Sequence, residues 1–476
     1  MINKGADRTC AKGKGREKDM RKQMIAAVLA LAVLCSGCSS VSLDPQTLMR
    51  PPRATGNKEQ IHKVLEKKTN DQLNLSYPSR GDYRSAILMW DLTGDGAEDA
   101  IALYQNPDQK GGLTISFIRG GSEIWAEVGS FNNPATQVDK VCFGDVNRDG
   151  VDDVIVGWGN VLNQTSSVSI YSYHDGKMTE LSYNQPYNEI EVRDFDGDTY
   201  DEIFTASVST AEQPAIARLL RVTDNMVETI GSAHLDIGVT KYAAVTAGMI
   251  NSSQYGIVLD GVKAGGNYVT EVLFWDSKKK LLQSPFLDSG TQTANYTQRS
   301  TSVTSRDING DTLIEIPIVN PLPGYSSPLP DEACAMTNWY RYDSVNNILQ
   351  PVMSMVINQK SGYWFMIPEM WRGKVKVTVK VDREARSLTF YKWLPAAGAA
   401  AGTVNNAAAG AVSTGLLKLQ EFTEQEWNAG AVTKGFYKLK ERNGVVYAAS
   451  ILQPDDPMAL NINDITNSFR LIAPQE

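Results

Sequence analysis

An acidic nine-residue turn recurs four times along the chain, and each copy runs directly into an apolar segment. The copies span residues 91–99, 145–153, 194–202 and 307–315. Each has Asp at its first and fifth positions and Asp or Glu at its ninth. The copies begin 54, 49 and 113 residues apart. A repeat of this period indicates a fold built from similar supersecondary units packed side by side.

The gap of 113 residues is about two periods, which predicts a further unit near residue 248. The segment that begins at Gly248, GMINSSQYGIVLDG, keeps a strand–turn–strand pattern without the acidic residues of the turn. The sequence therefore predicts five units, of which the Gly248 unit binds no metal.

Each unit contains four strand-like runs, which in the second unit are VDKVCFGDV, DDVIVGW, SVSIYSYH and KMTELSY. Four short strands per period is the content of one propeller blade, whereas a solenoid would usually show helices or shorter, stricter repeats. We predict a mainly β fold, with a β-propeller of about five four-stranded blades over residues 72–356. The strand-like segment Gln72–Tyr77 is a candidate to pair into the last blade and close the ring.

The acidic turns have the composition of a calcium-binding loop. Ca²⁺ takes about six to eight oxygen ligands, and alternate residues of a tight loop supply them from side chains and from one backbone carbonyl. The predicted ligands are Asp91, Thr93, Asp95, Ala97 and Asp99; Asp145, Asn147, Asp149, Val151 and Asp153; Asp194, Asp196, Asp198, Tyr200 and Glu202; and Asp307, Asn309, Asp311, Leu313 and Glu315. The alternative is an ordinary Asp/Asn/Gly-rich hairpin turn. Four copies in register favour structural Ca²⁺, in up to four loops.

The phrases GDVNRDGVDDVIVG and RDFDGDTYDEIF resemble FG-GAP/VCBS repeats, which occur in integrin α propellers and in many bacterial surface proteins. This resemblance extends over more than half of the chain. It implies that Ca²⁺ rigidifies the blades rather than taking part in chemistry. Thr93 departs from the usual Asp or Asn, and Glu202 and Glu315 replace the usual final Asp.

Residues 1–37 have the pattern of a lipoprotein signal peptide. They carry eight Lys/Arg and three Asp/Glu, and the apolar run MIAAVLALAVL is too short to span a bilayer comfortably. The following LCSGC resembles the bacterial lipobox, with Cys35 where the family usually has Leu. The resemblance implies cleavage before Cys38, a lipid on Cys38, and an extracytoplasmic protein anchored to the cell membrane. An uncleaved anchor helix and cleavage without lipidation are the alternatives.

Residues 38–71 are predicted to be a tether followed by a short helix, because Ile61, Val64 and Leu65 lie at helical spacing. The whole chain has a net charge of −8, and its basic N-terminus masks a more acidic remainder. A surface of this sign repels phosphate backbones, so no nucleic-acid partner is expected.

Residues 357–476 are predicted to form a small α+β domain with an Ala/Gly-rich loop at 396–415. Its opening, with Tyr363, Pro368 and Trp371, resembles PsbP/Mog1-type domains. Its aromatic side chains form either a sugar-binding platform or ordinary packing. The predicted strands are YWFMIP, KVKVTVKVD, SLTFYKW, LLKLQEF, GFYKLKER and VVYAASIL, and the predicted helices are EQEWNAG and INDITNSFRLIA.

The sequence contains no recognisable catalytic motif. The three histidines lie far from zinc-site spacing, and neither a Gly-x-Ser-x-Gly elbow nor a phosphate-binding loop occurs. We therefore expect a non-catalytic binding or scaffold module for an extracellular protein or glycan. The alternative is an envelope polysaccharide lyase or hydrolase with its site in the propeller funnel. Arg80-Gly81-Asp82 matches a tripeptide read by integrins but also suits an ordinary turn. Cys142 and Cys334 are either buried thiols or one disulfide.

Overall fold

The computed structural model describes residues 57–70, 72–105, 112–120, 125–160, 166–326, 331–372, 376–395 and 410–472. The predicted signal peptide, Cys38 and the tether up to residue 56 lie outside the described residues. Within those ranges, no helix has the length and apolar character needed to cross a membrane. The chain divides into two units between Leu65 and Glu66. Helix α1 (Asn57–Lys68) begins in the first unit, where the sequence predicts it.

The second unit is mainly β and contains four consecutive antiparallel sheets of four strands each, numbered here sheets 1 to 4. Sheet 1 contains β1 (Ile87–Trp90), β2 (Asp99–Gln105), β3 (Leu113–Arg119) and β4 (Ala126–Asn133). Sheet 2 contains β5 (Gln137–Gly144), β6 (Asp153–Gly159), β7 (Ser167–His174) and β8 (Lys177–Tyr183). Sheet 3 contains β9 (Glu189–Arg193), β10 (Glu202–Ser207), β11 (Ile216–Thr223) and β12 (Met226–His234). Sheet 4 contains β13 (Val239–Asn251), β14 (Gln254–Lys263), β15 (Tyr268–Asp276) and β16 (Leu281–Gln283).

Two five-stranded antiparallel sheets follow. Sheet 5 contains β17 (Ile316–Pro321), β18 (Ala335–Asp343), β19 (Ile348–Asn358), β20 (Tyr363–Met366) and β26 (Phe469–Leu471). Sheet 6 contains β21 (Lys376–Asp382), β22 (Ser387–Pro395), β23 (Gly410–Thr423), β25 (Val445–Ile451) and β24 (Tyr437–Arg442). Two short helices, α2 (Glu424–Asn428) and α3 (Ile462–Ser468), complete the described part of the chain.

The strands after the second and third acidic turns, β6 and β10, are buried on both faces because their successive side chains point into two different interfaces. On β6, Val154 packs toward sheet 1 and Ile155 packs toward sheet 3. On β10, Ile203 packs toward sheet 2 and Phe204 toward sheet 4. This explains why both strands are buried at nearly every position. Sheets 1 to 5 therefore pack face to face in chain order, each against the next.

The contacts between neighbouring sheets join equivalent strands. The first strands of sheets 2, 3 and 4 contact one another in succession, and so do the last strands of sheets 1 to 4. Because equivalent strands meet at each interface, each of sheets 1 to 4 packs on the next in the same way. The strand–turn–strand unit predicted at Gly248 lies in sheet 4, where β13 pairs with β14.

The segment Gln72–Tyr77 pairs differently from the prediction. Leu75 bridges Tyr104 of β2, and the Ser76 N–H donates to the Leu103 carbonyl at 2.9 Å. The segment therefore extends sheet 1, the sheet next to it in the chain. Sheet 5 instead gains β26, in which Leu471 pairs with Tyr363.

The strands and helices predicted after residue 360 are confirmed, with three differences. The predicted helix INDITNSFRLIA ends at Ser468, and its second half forms β26. The predicted loop 396–415 is shorter, since β23 begins at Gly410 opposite Pro395, while residues 396–409 lie outside the described residues. The proposed domain boundary after residue 356 falls inside β19.

Tyr363 and Trp371 belong to a buried core that joins sheets 5 and 6. The Trp371 ring lies 5.2 Å from that of Phe390, and its Nε1 donates to the Met458 carbonyl at 2.9 Å. These two aromatics are therefore packing residues. Cys142 and Cys334 are both free and buried, and burial raises the pKa of Cys142 to about 12, which makes it an unreactive thiol.

Candidate metal centres

The acidic turns occupy equivalent places in sheets 1, 2, 3 and 5. Three of them connect the first and second strands of their sheets, and the fourth leads into β17. The strand before the fourth turn is reduced to a single bridge between Arg306 and Glu315. We refer to residues 91–99, 145–153, 194–202 and 307–315 as loops 1 to 4.

The first Asp of every loop folds the backbone around its own carboxylate. It accepts the N–H groups of the residues three and five positions later, as Asp91 does from Gly94 and Gly96, both at 2.8 Å. The other three loops repeat this pattern at 2.7–3.0 Å. All eight donor residues have positive φ, which explains why five of them are Gly. The three exceptions are Arg148, Thr199 and Thr312.

The ninth residue of each loop is a buried carboxylate, and Asp99, Asp153, Glu202 and Glu315 are 0–2% exposed. Each accepts the backbone N–H of the second loop residue at 3.0–3.1 Å. Burial raises the pKa of all four, to about 7 for Asp153 and Glu202. A buried carboxylate is costly to keep ionised unless a cation or hydrogen-bond donors compensate its charge.

Loops 3 and 4 bring three carboxylates together. Oxygens of Asp194, Asp196 and Glu202 lie within 4.8 Å of one another, and so do oxygens of Asp307, Asp311 and Glu315. These are the two such groups among the residues that the structure describes. Hard carboxylate oxygens at this spacing suit a divalent cation such as Ca²⁺.

Two arginines that the sequence analysis missed enter these same groups. Arg221 Nη2 lies 2.5 Å from Asp196 Oδ2 and 2.6 Å from Glu202 Oε1. Arg341 Nη2 lies 2.8 Å from Glu315 Oε1 and also contacts Asp311. Each arginine belongs to the strand that pairs with the strand after the loop, and it lies across from the ninth loop residue. Aligning the strand after each loop with its antiparallel partner strand would have placed each arginine opposite the ninth loop residue.

Loops 1 and 2 are arranged differently. In loop 1 the exposed Arg119 contacts Asp95 at 3.0 Å. In loop 2 the strand position that arginine holds elsewhere is Ser172, and the Asn147 amide donates to Asp149 and Asp153 at 3.0 and 2.9 Å. Two of the three carboxylates of loop 2, Asp149 and Asp153, are therefore linked through a neutral amide.

Loop 1 offers a further oxygen for a cation. Thr93 Oγ1 is shielded from solvent and interacts with the Asp95 carboxylate of the same loop. A hydroxyl oxygen next to a carboxylate is a pair of hard ligands that suits Ca²⁺.

The loops of neighbouring sheets contact one another. Trp90 Nε1, just before loop 1, donates to Asp152 Oδ2 of loop 2 at 3.1 Å. The Asp201 N–H of loop 3 donates to the Asp145 carbonyl of loop 2 at 3.0 Å, and Arg148 of loop 2 pairs with Asp198 of loop 3. Order in one loop therefore supports order in the next.

Arg80 belongs to a second polar cluster, on the first strands of sheets 2 and 3. Its guanidinium contacts Asp139 Oδ1 at 2.8 Å and also pairs with Glu189, while Tyr187 donates to Asp139 at 2.8 Å. Because Arg80 is held by two carboxylates, the tripeptide Arg80-Gly81-Asp82 does not present a free arginine to a partner.

No family model matches the sequence, and no curated protein matches it. Among solved structures, a protein from Lactobacillus plantarum aligns with 7% identity over 67% of this chain and 81% of its own, with a TM-score of 0.30. The Dos1 propeller aligns with 10% identity over 66% of this chain and 65% of its own, also with a TM-score of 0.30. A TM-score of 0.30 is too low to carry an argument about fold or function.

Proposed function

We propose that this chain is a non-catalytic scaffold at the cell surface, in which a β-propeller of about five blades is rigidified by Ca²⁺ in its acidic loops. The propeller would present a binding surface to an extracellular protein or glycan. The observation that carries this proposal is the recurrence of one loop geometry at equivalent places in sheets 1, 2, 3 and 5.

The propeller assignment is supported by how the sheets pack. Blades of a propeller are four-stranded sheets that follow one another in the chain and pack face to face. The interfaces bury the following pairs in chain order: Phe117 and Tyr171, Ile155 and Ile203, Phe204 and Leu259, and Val258 and Ile316. The first and last strands of successive sheets also meet their counterparts.

The calcium assignment is supported by the donor set. The loops offer carboxylate, amide and hydroxyl oxygens, the hard ligands that Ca²⁺ prefers. Asp153 and Glu202 are buried, so a bound cation would offset the cost of their charge. In this proposal Ca²⁺ neutralises the loops and fixes their shape, and the chain's own carboxylates supply the ligands.

The surface location is supported by the sequence alone. A basic segment, a short apolar run and the lipobox-like LCSGC precede Cys38. The FG-GAP/VCBS resemblance is consistent with an extracytoplasmic protein, because Ca²⁺ sites of modest affinity fill where the ion is abundant.

Thermal unfolding of the detergent-solubilised full chain tests the calcium proposal. We expect EDTA to lower Tm and excess Ca²⁺ to restore it, because a ligand that binds the folded state stabilises it. Mg²⁺ is the control ion, since its smaller octahedral shell should restore less of the loss. A Tm that is the same in EDTA and in Ca²⁺ would refute structural calcium. Turnover of a polysaccharide or peptide, lost on changing one acidic residue outside the loops, would refute the non-catalytic role.

A further inference from the structure

We infer that Arg221 and Arg341 are tethered cations that compete with Ca²⁺ for loops 3 and 4 and so set the metal affinity of those loops. The inference rests on the proposed calcium function of the loops. Loops 1 to 4 share one acidic pattern. The two arginines would make the metal affinity of loops 3 and 4 differ from that of the other loops.

Arg221 places one nitrogen among the carboxylates of loop 3. Its Nη2 lies 2.5 Å from Asp196 Oδ2, 2.6 Å from Glu202 Oε1 and 3.5 Å from Asp198 Oδ2. The Arg221 side chain is only 20% exposed, and Glu202 is fully buried. A positively charged atom that contacts several carboxylates of one loop lies where a bound cation would lie.

Arg341 repeats the arrangement in a different sheet. Its Nη2 lies 2.8 Å from Glu315 Oε1 and also contacts Asp311, and its side chain is 27% exposed. Both arginines lie across the strand pair from the ninth loop residue, since Leu220 pairs with Ile203 and Tyr340 pairs with Ile316. In both loops an arginine on the partner strand pairs with the carboxylate of the ninth residue. The recurrence of this contact at two equivalent positions indicates that it belongs to the structure of these loops.

Charge decides how this arrangement affects metal binding. A guanidinium stays protonated at any ordinary pH, so it cannot leave the site by losing its charge. Ca²⁺ and the guanidinium attract the same carboxylate oxygens and repel each other at a separation of a few ångströms. Ca²⁺ must therefore displace Arg221 or Arg341 before it can take Glu202 or Glu315 as a ligand.

Loop 2 provides the internal comparison. Ser172 stands where Arg221 and Arg341 stand in their sheets, and Asp153 accepts hydrogen bonds from the neutral Asn147 amide and from backbone N–H groups. An amide that donates to carboxylates can rotate to offer its oxygen to a cation without charge repulsion. Loop 2 should therefore bind Ca²⁺ more tightly than loops 3 and 4.

Calcium titration by isothermal calorimetry of the detergent-solubilised full chain tests this inference. Arg221→Gln and Arg341→Gln should each raise the Ca²⁺ affinity of one site at least about tenfold, because they remove a competing charge. Arg221→Lys keeps the charge and should give a much smaller gain. The converse variant, Ser172→Arg, should weaken the tightest site by a similar factor.

Arg218→Gln is the matched control, because Arg218 lies on the same strand as Arg221 without an ion pair to loop 3. It should leave every site unchanged. Circular dichroism confirms that each variant is folded, and Arg341→Gln tests the inference independently if Arg221→Gln does not fold.

The possible results separate the inference from the proposal on which it rests. Calcium binding by the wild type with no change in Arg221→Gln and Arg341→Gln would overturn the inference and leave structural calcium standing. Loss of a site in folded Arg221→Gln would also overturn it, since the arginine would then position ligands rather than compete. No Ca²⁺ binding by the wild type or any variant would overturn both.

Discussion

Arg341 lies across a strand pair from Glu315 and donates from Nη2 to its Oε1 at 2.8 Å, although Glu315 itself is fully buried. Burial raises the pKa of Glu315, and the guanidinium partly offsets that increase. The pairing shows how an acidic loop can carry a buried carboxylate at the end of its turn. Arg221 and Glu202 repeat the relationship in sheet 3 at 2.6 Å.

Replacing Thr199 by Gly should stabilise the protein by up to about 1 kcal/mol. Thr199 is exposed and has a φ of 79°, a left-handed conformation that is unfavourable for a β-branched residue. The gain is limited because Gly increases the entropy of the unfolded chain. Urea unfolding measures the change. Thr223→Gly, at an exposed strand position with ordinary φ, should instead be destabilising, and equal effects at the two sites would contradict the explanation.

Replacing Asp260 by Asn should destabilise the protein by about 3–5 kcal/mol, because it leaves the Arg299 charge buried without its partner. Both side chains are fully buried, and Arg299 Nη2 lies 2.7 Å from Asp260 Oδ1. Chemical denaturation measures the loss. Asp224→Asn is the control, since Asp224 is exposed and Asn tolerates its positive φ. A loss at Asp260 no greater than at Asp224 would mean that the pair contributes little.

Glu271 should make stability fall with rising pH. Burial raises the pKa of this carboxyl to about 8 in the folded protein, where Oε1 accepts the Asp236 N–H and Oε2 has no partner among the described groups. The pKa in the unfolded chain is near the ordinary value of about 4.3. Between these values the folded state binds more protons than the unfolded state, so stability decreases as pH rises toward 8.

Glu271→Gln should remove this dependence. We expect the wild type to lose more than about 1 kcal/mol between pH 5 and pH 8 relative to Glu271→Gln, because each unit of pKa shift is worth about 1.4 kcal/mol. Urea unfolding at the two pH values measures the difference. Parallel pH profiles for the two proteins would contradict the assignment to Glu271.

Replacing Cys38 by Ser should release the protein from membranes, because the proposed lipid would have no attachment site. Fractionation of cells that produce each form, followed by immunoblotting, measures the distribution. Cys10→Ser, at a cysteine outside the lipobox-like segment, is the matched control and should stay in the membrane fraction. Retention of Cys38→Ser in membranes would rule out anchoring through this residue.

The sequence predicted the repeated units well because two strong local signals coincide in each. The first loop Asp and the Gly residues that follow fix the turn, as at Asp91, Gly94 and Gly96. The strands after the first three turns are buried at nearly every position, so their sequences are rich in apolar residues. These requirements are local, and residue order alone reveals them.

Features that depend on long-range pairing were missed. Arg221 lies 19 residues after Glu202, and Arg341 lies 26 residues after Glu315, so only strand register brings them into their loops. The final strand, Phe469–Leu471, follows a helix without a break and becomes a strand because β20 offers it a free edge. The predicted pairing of Gln72–Tyr77 with the last blade was wrong for the same reason, since Leu75 pairs with Tyr104 of sheet 1.

The metal content of the protein tests the central claim most directly. The full chain would be loaded with Ca²⁺ at millimolar concentration and dialysed against metal-free buffer, and its bound Ca²⁺ would be counted by inductively coupled plasma mass spectrometry. We predict between one and four Ca²⁺ ions per chain, reduced by one in Asp145→Asn if loop 2 retains its ion. A calcium content that does not exceed that of the dialysis buffer would contradict the account.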